Sequence, residues 1–504
     1  MFSTRAELLE KNPPREGERV ISTLKPYPAY KDSGVPWLGE VPAHWEVRRG
    51  KALFCCIDVR SQTGQEELLT VSSERGVVPR RSANVTMFKA ESYVGYKLCW
   101  PDDLVINSLW AWARGLGVSP YHGIVSSAYG VYRLRNRQQD NPRFIHQLVR
   151  STPFQWELQV RSKGIWVSRL QLTDDAFLGA PFPMPPSNEQ TAIVRFLDYM
   201  DRRIRRYIRA KQKLIKLLEE YKQALIHQAV TGKIDVRTGQ PYPAYKDSGV
   251  EWLGQVPEHW EVRRLKRIAR LNPSKSEVPL ALRDGRAVFL PMERVGSDGR
   301  FDASEVRPIS DLWNGFTYFR RGDVIVAKIT PCFENGKGAC LENLPTALGF
   351  GSTEFHVIRP SKAIVSAYLY RVTTLSEFRR LGADEMTGAA GQQRVPVEFI
   401  ANFPIPISPL PEQTAIVEYL DAQTAKIDAA IAAAHREIDL LREYRTRLIA
   451  DVVTGKVDVR EVAARLPEEP PEAEEGIMED EGTNEDGEAP ADAEQGAVKE
   501  EAEP

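Results

Sequence analysis

A stretch of 49 residues occurs twice in this chain, and the repeat constrains the fold more than any other feature of the sequence. The first copy runs from Glu189 to Arg237 and the second from Glu412 to Arg460, at a constant offset of 223 residues. Both copies begin Glu-Gln-Thr-Ala-Ile-Val and end Thr-Gly-Lys-(Ile/Val)-Asp-Val-Arg. A match of this length is not expected of two unrelated core helices, so the repeat predicts a duplicated structural unit.

Each copy predicts a long helix, because its apolar residues recur at alternating spacings of four and three, the pattern of a coiled-coil seam. Pro409 and Pro411 are expected to precede the second helix, and Gly232 and Gly455 to end the two helices. At 1.5 Å per residue, a helix of about forty residues spans about 60 Å. The predicted seams are Ile193, Leu197, Met200, Ile204, Tyr207, Lys211, Leu214, Leu218, Tyr221 and Leu225 in the first copy, and Ile416, Leu420, Gln423, Ile427, Ala430, Ala434, Glu437, Leu441, Tyr444 and Leu448 in the second.

A second repeat lies upstream of each helix. Tyr27–Arg49 (aromatic block 1) and Tyr242–Arg264 (aromatic block 2) are nearly identical at an offset of 215 residues. The regions that follow, insert 1 (47–188) and insert 2 (262–411), are 142 and 150 residues long and barely resemble each other. A duplicated frame with two divergent inserts predicts one scaffold that presents two different recognition surfaces. If the helices pair, connectivity makes them antiparallel, with the inserts at opposite ends about a pseudo-two-fold axis.

The paired Tyr-Lys-Asp-Ser-Gly…Trp-Leu-Gly…Pro…His-Trp blocks, with the two helix starts and ends, resemble the DNA-specificity subunit of type I restriction–modification systems over about residues 26–460. The resemblance implies an α+β fold in which two target-recognition domains are separated by a pair of long antiparallel helices. It implies a chain without a catalytic centre that binds double-stranded DNA, two methyltransferase (modification) subunits and restriction subunits. S-adenosylmethionine, Mg and ATP are then expected on the partner subunits, with no cofactor on this chain.

The predicted divisions follow from this layout. They are an N-terminal arm (1–25), target-recognition domain 1 (26–188), the central spacer helix (189–235), target-recognition domain 2 (236–411), the C-terminal spacer helix (412–460) and an acidic disordered tail (461–504).

Charge is distributed unevenly along the chain, and the formal net charge of −2 conceals this. Residues 466–504 hold sixteen acidic side chains and one lysine, which leaves 66 basic against 53 acidic residues, or +13, for residues 1–465. A basic body suits a nucleic-acid partner, because neutralising phosphates supplies much of the affinity. The acidic stretch either keeps the chain solvated or screens the basic surface from within the molecule.

Localisation is predicted to be cytoplasmic. No apolar run approaches the roughly twenty residues of a membrane span, and Met1–Ser22 lacks a signal-peptide core. The five cysteines show no Cys-x-x-Cys spacing with histidines nearby, so reduced thiols are expected and no metal site is predicted.

Each insert contains a strand-like segment, a polar loop and a second strand-like segment. The first strands are predicted at Asp102–Trp110 and Gly322–Thr330, and the loops between strands are where recognition residues concentrate. Side chains of these types can bind base edges, although solvated positions or phosphate contacts are the alternative for each of them. The candidate DNA-binding residues are Asn107, Trp112, Arg114, Ser119, Tyr121 and His122 in insert 1, and Lys328, Thr330, Glu334, Asn335 and Lys337 in insert 2.

A second polar loop precedes each long helix, at 161–169 and 387–394. Its glycines permit close approach of the backbone to a phosphate, and the family resemblance also places a DNA-facing loop about here. The candidates are Arg161, Lys163 and Arg169 in insert 1, and Gln392, Gln393 and Arg394 in insert 2.

The sequence carries no complete catalytic motif. Asn12-Pro13-Pro14 is followed by Arg15 where an amino-methyltransferase has an aromatic residue, and Gly232-Lys233 lacks the rest of a phosphate-binding loop. A non-catalytic DNA-reading scaffold is therefore favoured. The alternatives are a specificity chain that itself methylates or cleaves DNA, and a coiled-coil interaction protein that does not bind DNA.

Overall fold

The computed structural model describes residues 24–83, 92–164, 170–389 and 391–467. The chain divides into two compact units: unit 1 takes the residues up to Arg209 and from Glu437, and unit 2 is Ala210–Arg436. Each unit contains one aromatic block, one insert and a segment of each long helix. Most of the predicted arm and acidic tail, together with Arg169, lies outside the described residues. No helix among the described residues is long and apolar enough to cross a membrane.

The described part of the chain up to residue 230 forms short strands and helices followed by the first long helix. They are β1 (Tyr30–Asp32), β2 (Glu40–Pro42), β3 (Glu46–Arg49), α1 (Gly50–Leu53), β4 (Phe54–Cys56), β5 (Leu69–Ser72), β6 (Gly76–Pro79), β7 (Lys97–Cys99), β8 (Leu104–Asn107), β9 (Leu116–Val118), β10 (Gly123–Val125), β11 (Tyr129–Leu134), α2 (Pro142–Val149), α3 (Thr152–Arg161), α4 (Asp174–Leu178), β12 (Pro181–Met184) and α5 (Ser187–Val230).

The described remainder repeats this order with additional strands. Its elements are β13 (Tyr245–Asp247), β14 (Gln255–Pro257), β15 (Glu261–Arg264), β16 (Ala269–Leu271), β17 (Arg286–Leu290), β18 (Val306–Pro308), α6 (Ile309–Leu312), β19 (Thr317–Arg320), β20 (Val324–Ala327), β21 (Gly338–Cys340), β22 (Leu348–Gly351), β23 (Phe355–Pro360), α7 (Ser366–Thr373), α8 (Ser376–Asp384), α9 (Val397–Asn402), β24 (Pro404–Ile407), α10 (Leu410–Val453) and α11 (Arg460–Arg465).

The two inserts share a central sheet despite their dissimilar sequences. The strand order is β4-β11-β8-β9 in unit 1 and β16-β23-β20-β21 in unit 2, antiparallel throughout. A fully buried aspartate precedes β8 in unit 1 and β20 in unit 2. A buried carboxylate requires a charged, hydrogen-bonded partner. Asp103 accepts two 2.7 Å hydrogen bonds from Arg133, and Asp323 accepts the same pair from Arg359 at 2.7 and 2.8 Å. The divergent inserts therefore keep one core plan.

The predicted plan of strand, loop and strand is correct only in outline. Each polar loop is interrupted by a strand, β9 in unit 1 and β21 in unit 2, which pairs back onto β8 or β20. The second predicted strand breaks into two, β10 with β11 and β22 with β23, whose members join different sheets. Unit 2 also has a four-stranded sheet, β18-β17-β22-β19, in which β17 and β22 are parallel. Both breaks fall in short polar stretches, at Ser126–Ser127 in unit 1 and at Ser352–Glu354 in unit 2.

A short two-stranded sheet closes the ends of each insert. Arg49 of β3 pairs with Pro181 of β12 in unit 1, and Arg264 of β15 pairs with Pro404 of β24 in unit 2. Both ends of an insert therefore leave the frame on neighbouring strands, about 5 Å apart.

Both long helices are 44 residues long and begin two residues before the repeated glutamates. Pro411, predicted to precede the second helix, is instead its second residue. Proline is tolerated there because the N–H groups of the first helical turn have no acceptor within the helix, so no hydrogen bond is lost. Gly232 and Gly455 follow the helices with φ of +72° and +77°, the left-handed conformation that glycine adopts at helix ends. Both glycines also lie against a proline ring of their aromatic block, where a Cβ would be 2.5 or 2.4 Å from a ring carbon.

The predicted seams are wrong in phase in the middle of each helix. Tyr207, Leu214 and Tyr221 are exposed, as are Ala430 and Glu437. In each helix, the buried or half-buried positions advance by 36 residues in ten steps, or 3.6 residues per step. This is the repeat of an ideal straight α-helix, from which a strict 3.5-residue repeat drifts by about 20° per heptad. The buried or half-buried positions are Ile193, Leu197, Met200, Ile204, Ile208, Lys211, Ile215, Leu218, Lys222, Leu225 and Ala229 in α5, and Ile416, Leu420, Thr424, Ile427, Ile431, Ala434, Ile438, Leu441, Arg445, Leu448 and Val452 in α10.

Each unit contains an antiparallel helix pair. In unit 1, Asp201 near the start of α5 lies 2.5 Å from Arg445 near the end of α10. In unit 2, Lys222 near the end of α5 lies 2.6 Å from Asp428 in the first half of α10. Opposite ends of the two helices meet in each unit, which confirms the predicted α+β fold with paired long helices.

A buried carboxylate joins each aromatic block to the start of its helix. Glu189 accepts hydrogen bonds from the Tyr27 hydroxyl at 2.5 Å and the Trp45 indole at 2.9 Å, and its second oxygen lies 2.7 Å from His44 Nε2. We call this cluster hub 1. Burial, followed by the hydrogen bond to Glu189, raises the pKa of Tyr27 above its ordinary range. The histidine of the block is thus a partner of a structural carboxylate.

Hub 2 repeats this arrangement in unit 2 with Glu412, Tyr242, Trp260 and His259. Each block also packs against the end of a long helix in its own unit. In unit 1, the Tyr30 hydroxyl donates to the carbonyl of Lys456, which follows α10; in unit 2, the Tyr245 hydroxyl donates to the carbonyl of Lys233, which follows α5.

Candidate functional site

Two polar loops converge on one face of unit 2. Loop A2 (328–337) joins β20 to β21, and loop B2 (385–394) joins α8 to the residues before α9. The Val395 amide donates to the Lys328 carbonyl at 2.8 Å, and the Thr330 amide donates to the Gln393 carbonyl at 3.0 Å. These backbone bonds place the two predicted recognition segments of insert 2 side by side.

The corresponding loops of unit 1 meet in the same way. Loop A1 (108–115) joins β8 to β9, and loop B1 (162–171) follows α3. The Leu172 amide donates to the Ser108 carbonyl at 2.9 Å, as Val395 does to Lys328 in unit 2. A backbone bridge closes each B loop, between Lys163 and Gln171 in one unit and Thr387 and Arg394 in the other. These two backbone contacts are therefore duplicated among the described residues, while the side chains beside them differ.

In unit 2, several predicted residues hold the loops together. The Thr330 hydroxyl lies 3.4 Å from the Gln393 carbonyl, and the Lys337 ammonium donates to the Met292 carbonyl at 3.2 Å. Lys328 is half-buried. These side chains shape the face as much as they present functional groups on it.

The most open side chains of this face are Glu334, Asn335 and Gln392, which are all exposed. Arg394 is also exposed and donates two 2.9 Å hydrogen bonds to Glu354, a residue that sequence reasoning missed. The hydrogen bond from Arg394 holds the pKa of Glu354 below its usual value, so the carboxylate stays charged. The face thus offers an acidic, an amide and a basic group, a set that can contact several kinds of base edge.

In unit 1, the predicted residues in or beside loop A1 are largely engaged within the protein. The Asn107 amide donates to the Tyr129 hydroxyl at 3.2 Å, and the Trp112 indole donates to the Leu109 carbonyl at 3.0 Å. Arg114 has a left-handed backbone (φ +64°) and holds α3 through 2.9 Å bonds to Gln155 and Thr152. Burial, with the nearby charge of Arg445, lowers the pKa of Arg114.

Ser119, Tyr121 and His122 lie at the other end of β9 from loop A1. Ser119 is buried, and its hydroxyl donates to the Tyr121 carbonyl at 2.9 Å. Tyr121 and His122 are exposed, and the His122 ring lies 5.6 Å from that of Trp100. Strand β9 separates these residues from the converging loops, so the structure does not bring the six predicted residues of insert 1 onto one face.

Two of the predicted residues in or beside loop B1 are described by the structure. Lys163 is exposed, whereas the Arg161 guanidinium donates a 2.5 Å hydrogen bond to Glu157, one turn earlier in α3. Arg169 lies outside the described residues.

Sequence reasoning also missed Arg150, which fastens loop A1 to the hairpin of β5 and β6. Its guanidinium donates to the carbonyls of Leu116 at 2.7 Å, Ser73 at 2.6 Å and Glu74 at 2.7 Å. Burial, and then the charge of Arg114, lowers the pKa of Arg150 to about 10. No pattern in the sequence distinguishes this arginine from a surface residue.

The described residues contain no group of three or more His, Cys, Asp or Glu side chains that could hold a metal ion. The five cysteines are free thiols, and burial raises the pKa of Cys99 to about 11. The described faces therefore offer hydrogen-bonding and charged groups.

Comparison with known proteins finds similarity to DNA-specificity proteins over part of the chain. Residues 257–434 match the model of the type I restriction modification DNA specificity domain. The chain is 37% identical over 208 residues to the type I restriction enzyme EcoAI specificity subunit of Escherichia coli, a match that covers 40% of this chain and 33% of that protein. The chain thus spans about a third of the length of that relative.

Longer matches are more distant. The type I restriction enzyme MjaVIII specificity subunit of Methanocaldococcus jannaschii is 21% identical over 341 residues, which covers 67% of this chain and 75% of that protein. A chain from a solved structure of a type I restriction–modification system, described in terms of complex assembly and conformational transition, is 17% identical. It aligns with a TM-score of 0.60 over 82% of this chain and 98% of its own length, which shows a shared fold.

The chain contains a type I restriction modification DNA specificity domain, and over part of its length it is similar to specificity subunits of type I restriction enzymes.

Proposed function

We propose that this chain is a non-catalytic, sequence-specific DNA-binding subunit that reads a bipartite, asymmetric duplex target, one half-site with each unit. The observation that carries the proposal is the duplicated convergence of the A and B loops, with matching backbone contacts among the described residues and different side chains. A protein that needed only to hold phosphates would not require two different loop faces, since the phosphate backbone is the same at both half-sites.

Substitutions at open positions of the two faces test this proposal. The complex of the chain with its methyltransferase partner would be used to select duplexes from a library that is random in both half-sites. Asn335→Ala and Gln392→Ala should change base preference in one half-site only, and Lys163→Ala should affect only the other. A base contact contributes about 1–3 kcal/mol of discrimination at its position.

Lys362→Ala, at an exposed turn of unit 2 away from both loops, is the matched control and should leave both half-sites unchanged. A uniform loss of affinity on all sequences, with a salt slope reduced by about one, would make the substituted residues phosphate contacts. If the wild-type complex selects duplexes without any sequence preference, the proposal itself is wrong.

Assembly with methyltransferase and restriction subunits is part of the proposal. On α5 within unit 2, Leu214, Leu217 and Tyr221 are 42%, 52% and 58% exposed. With the exposed Ala210 and Ala224, they follow one another at spacings of three and four, so they form one apolar face of the helix. Exposed apolar rows of this kind are typical of surfaces that a partner covers.

Leu217→Glu should therefore abolish co-purification of the chain with the methyltransferase subunit and leave its circular dichroism unchanged. Lys216→Glu is the matched control, because it places the same side chain on the neighbouring exposed position. Unchanged co-purification of Leu217→Glu would exclude this face as the contact.

We assign no cofactor to this chain. S-adenosylmethionine, Mg and ATP belong to the partner subunits in this proposal, and the complex acts in the cytoplasm, where free thiols persist. Isothermal titration of the chain alone with S-adenosylmethionine should show no binding, and addition of the methyltransferase subunit should restore it.

A further inference from the structure

Helix α5 carries a row of arginines on one face in unit 1. Arg195, Arg202, Arg206 and Arg209 follow one another at spacings of seven, four and three, which places them on one side of the helix. Arg202 is half-buried and the other three are exposed. Residues 195–209 hold six arginines and two aspartates, a net charge of +4. We call these four residues the arginine row.

The matching positions of α10 carry no such row. At the offset of 223 they are Glu418, Ala425, Ala429 and Ala432. The two helices share their starts, their glycine ends and their hubs, so the duplicated frame does not need these arginines. The arginine row therefore belongs to a function that α5 has and α10 does not.

An acidic stretch also occurs once in the chain, and it begins beside the row. Arg195 donates a 2.6 Å hydrogen bond to the carbonyl of Leu466, whose side chain is buried. Two residues later begins the acidic segment (468–504), which has sixteen acidic side chains and one lysine among 37 residues, a net charge of −15. The first residue of the arginine row thus binds the chain just before the acidic segment.

The acidic segment is long enough to cover the row. Arg209 is fourteen residues beyond Arg195, about 21 Å along the helix. At up to about 3.3 Å per residue, a chain of 37 residues can reach well beyond that distance. Tethering also keeps the local concentration of carboxylates in the millimolar range. Because a guanidinium has five N–H donors, an arginine that already has one partner can still bind a carboxylate.

We propose that the acidic segment docks on the arginine row and acts as an intramolecular polyanion that competes with external polyanions, above all nucleic-acid phosphates, for this face. The docking is electrostatic and therefore salt-sensitive, since a single exposed Arg–carboxylate pair contributes little and several must act together. It does not depend on whether the loop faces read DNA sequence.

A peptide-binding experiment tests the docking directly. A fluorescent synthetic peptide of residues 468–504 is titrated with the full chain and with a chain that ends at Pro467, at about 50 mM salt with anisotropy as the readout. The shortened chain should bind the peptide at least tenfold more tightly than the full chain, whose row is already occupied. Equal affinities, or no binding by the shortened chain, would overturn the proposal.

A triple variant then locates the docking site. Arg202→Ala, Arg206→Ala and Arg209→Ala in the shortened chain should lower peptide affinity at least tenfold. The helix should be retained, because alanine has the highest helix propensity and α10 already has alanine at the matching positions. The control triple is Lys426→Ala, Arg436→Ala and Arg447→Ala, which removes the same charge from exposed positions of α10.

The control triple should retain most of the peptide affinity. Equal losses in both triples would show that the peptide responds only to overall charge, which contradicts a docking site on the row. The comparison of full and shortened chains uses wild-type arginines, so it stands even if the triple variant does not fold.

Discussion

Replacing Glu189 with glutamine removes the charge of hub 1 with almost no change of shape. The carboxylate is 3% exposed and is contacted by Tyr27, His44 and Trp45 at 2.5–2.9 Å. A hydrogen bond to a charged group contributes about 1.5–3 kcal/mol, whereas a neutral one contributes about 1 kcal/mol. Losing charge assistance on three bonds therefore costs about 3 kcal/mol in the free energy of local unfolding, or roughly 150-fold in the opening equilibrium.

The duplicated frame provides the control in the same molecule. Hydrogen–deuterium exchange followed by mass spectrometry reports peptides of aromatic blocks 1 and 2 separately. Glu189→Gln should lower protection in Tyr27–Arg49 by about two orders of magnitude and leave Tyr242–Arg264 unchanged, and Glu412→Gln should do the reverse. Protection that falls equally in both blocks, or less than fivefold in the substituted one, would refute the view that each carboxylate holds its own block.

Three further predictions concern other buried contacts. Burial, and then the charge of Arg150, lowers the pKa of His146 to about 4, below its unfolded value. As pH falls, the unfolded chain therefore binds a proton before the folded chain does, so the free energy of urea unfolding of unit 1 should fall by about 2 kcal/mol between pH 7 and pH 5. His146→Gln should remove this pH dependence. Asp323→Asn should cost about 3–5 kcal/mol in the urea unfolding of unit 2, because it leaves Arg359 buried without its main counter-charge, while Asp302→Asn at an exposed site should have little effect. Gly455→Ala should lower the melting temperature by several degrees, since φ is +77° and the added Cβ would meet the Pro42 ring at 2.4 Å, whereas Gly34→Ala, at φ +67° with open space around it, reports the backbone strain alone.

The architecture was predictable because the two repeats within the chain can be compared with each other. The repeated segments marked the helices and the blocks, and their divergence marked the inserts. The phase of the seam was not predictable, since Tyr207 and Ile208 are both apolar, and the choice of Ile208 follows from a 3.6-residue rather than a 3.5-residue repeat. The hubs carried a signal that was available in the sequence, the repetition of Glu, Tyr, His and Trp together.

The candidate faces were predictable at the level of segments and much less at the level of residues. Loops A1, A2 and B2 overlap the predicted polar segments, because polar residues and glycines between apolar strands mark turns. Which side chain is open depends on partners far away in the chain: Gln155 engages Arg114, and Glu354 engages Arg394. The strand β9 inside the first predicted loop is three residues long, too short for periodicity to reveal.

The paired strands at the base of each insert make the insert an exchangeable cassette. Arg49 and Pro181 are neighbours across one ladder, as are Arg264 and Pro404 across the other. Everything between such a pair begins and ends at the same place on the frame, so an insert of different length can join the frame at the same two positions. A recombination event that exchanges only this stretch would therefore alter what one unit contacts and preserve everything that holds the unit together.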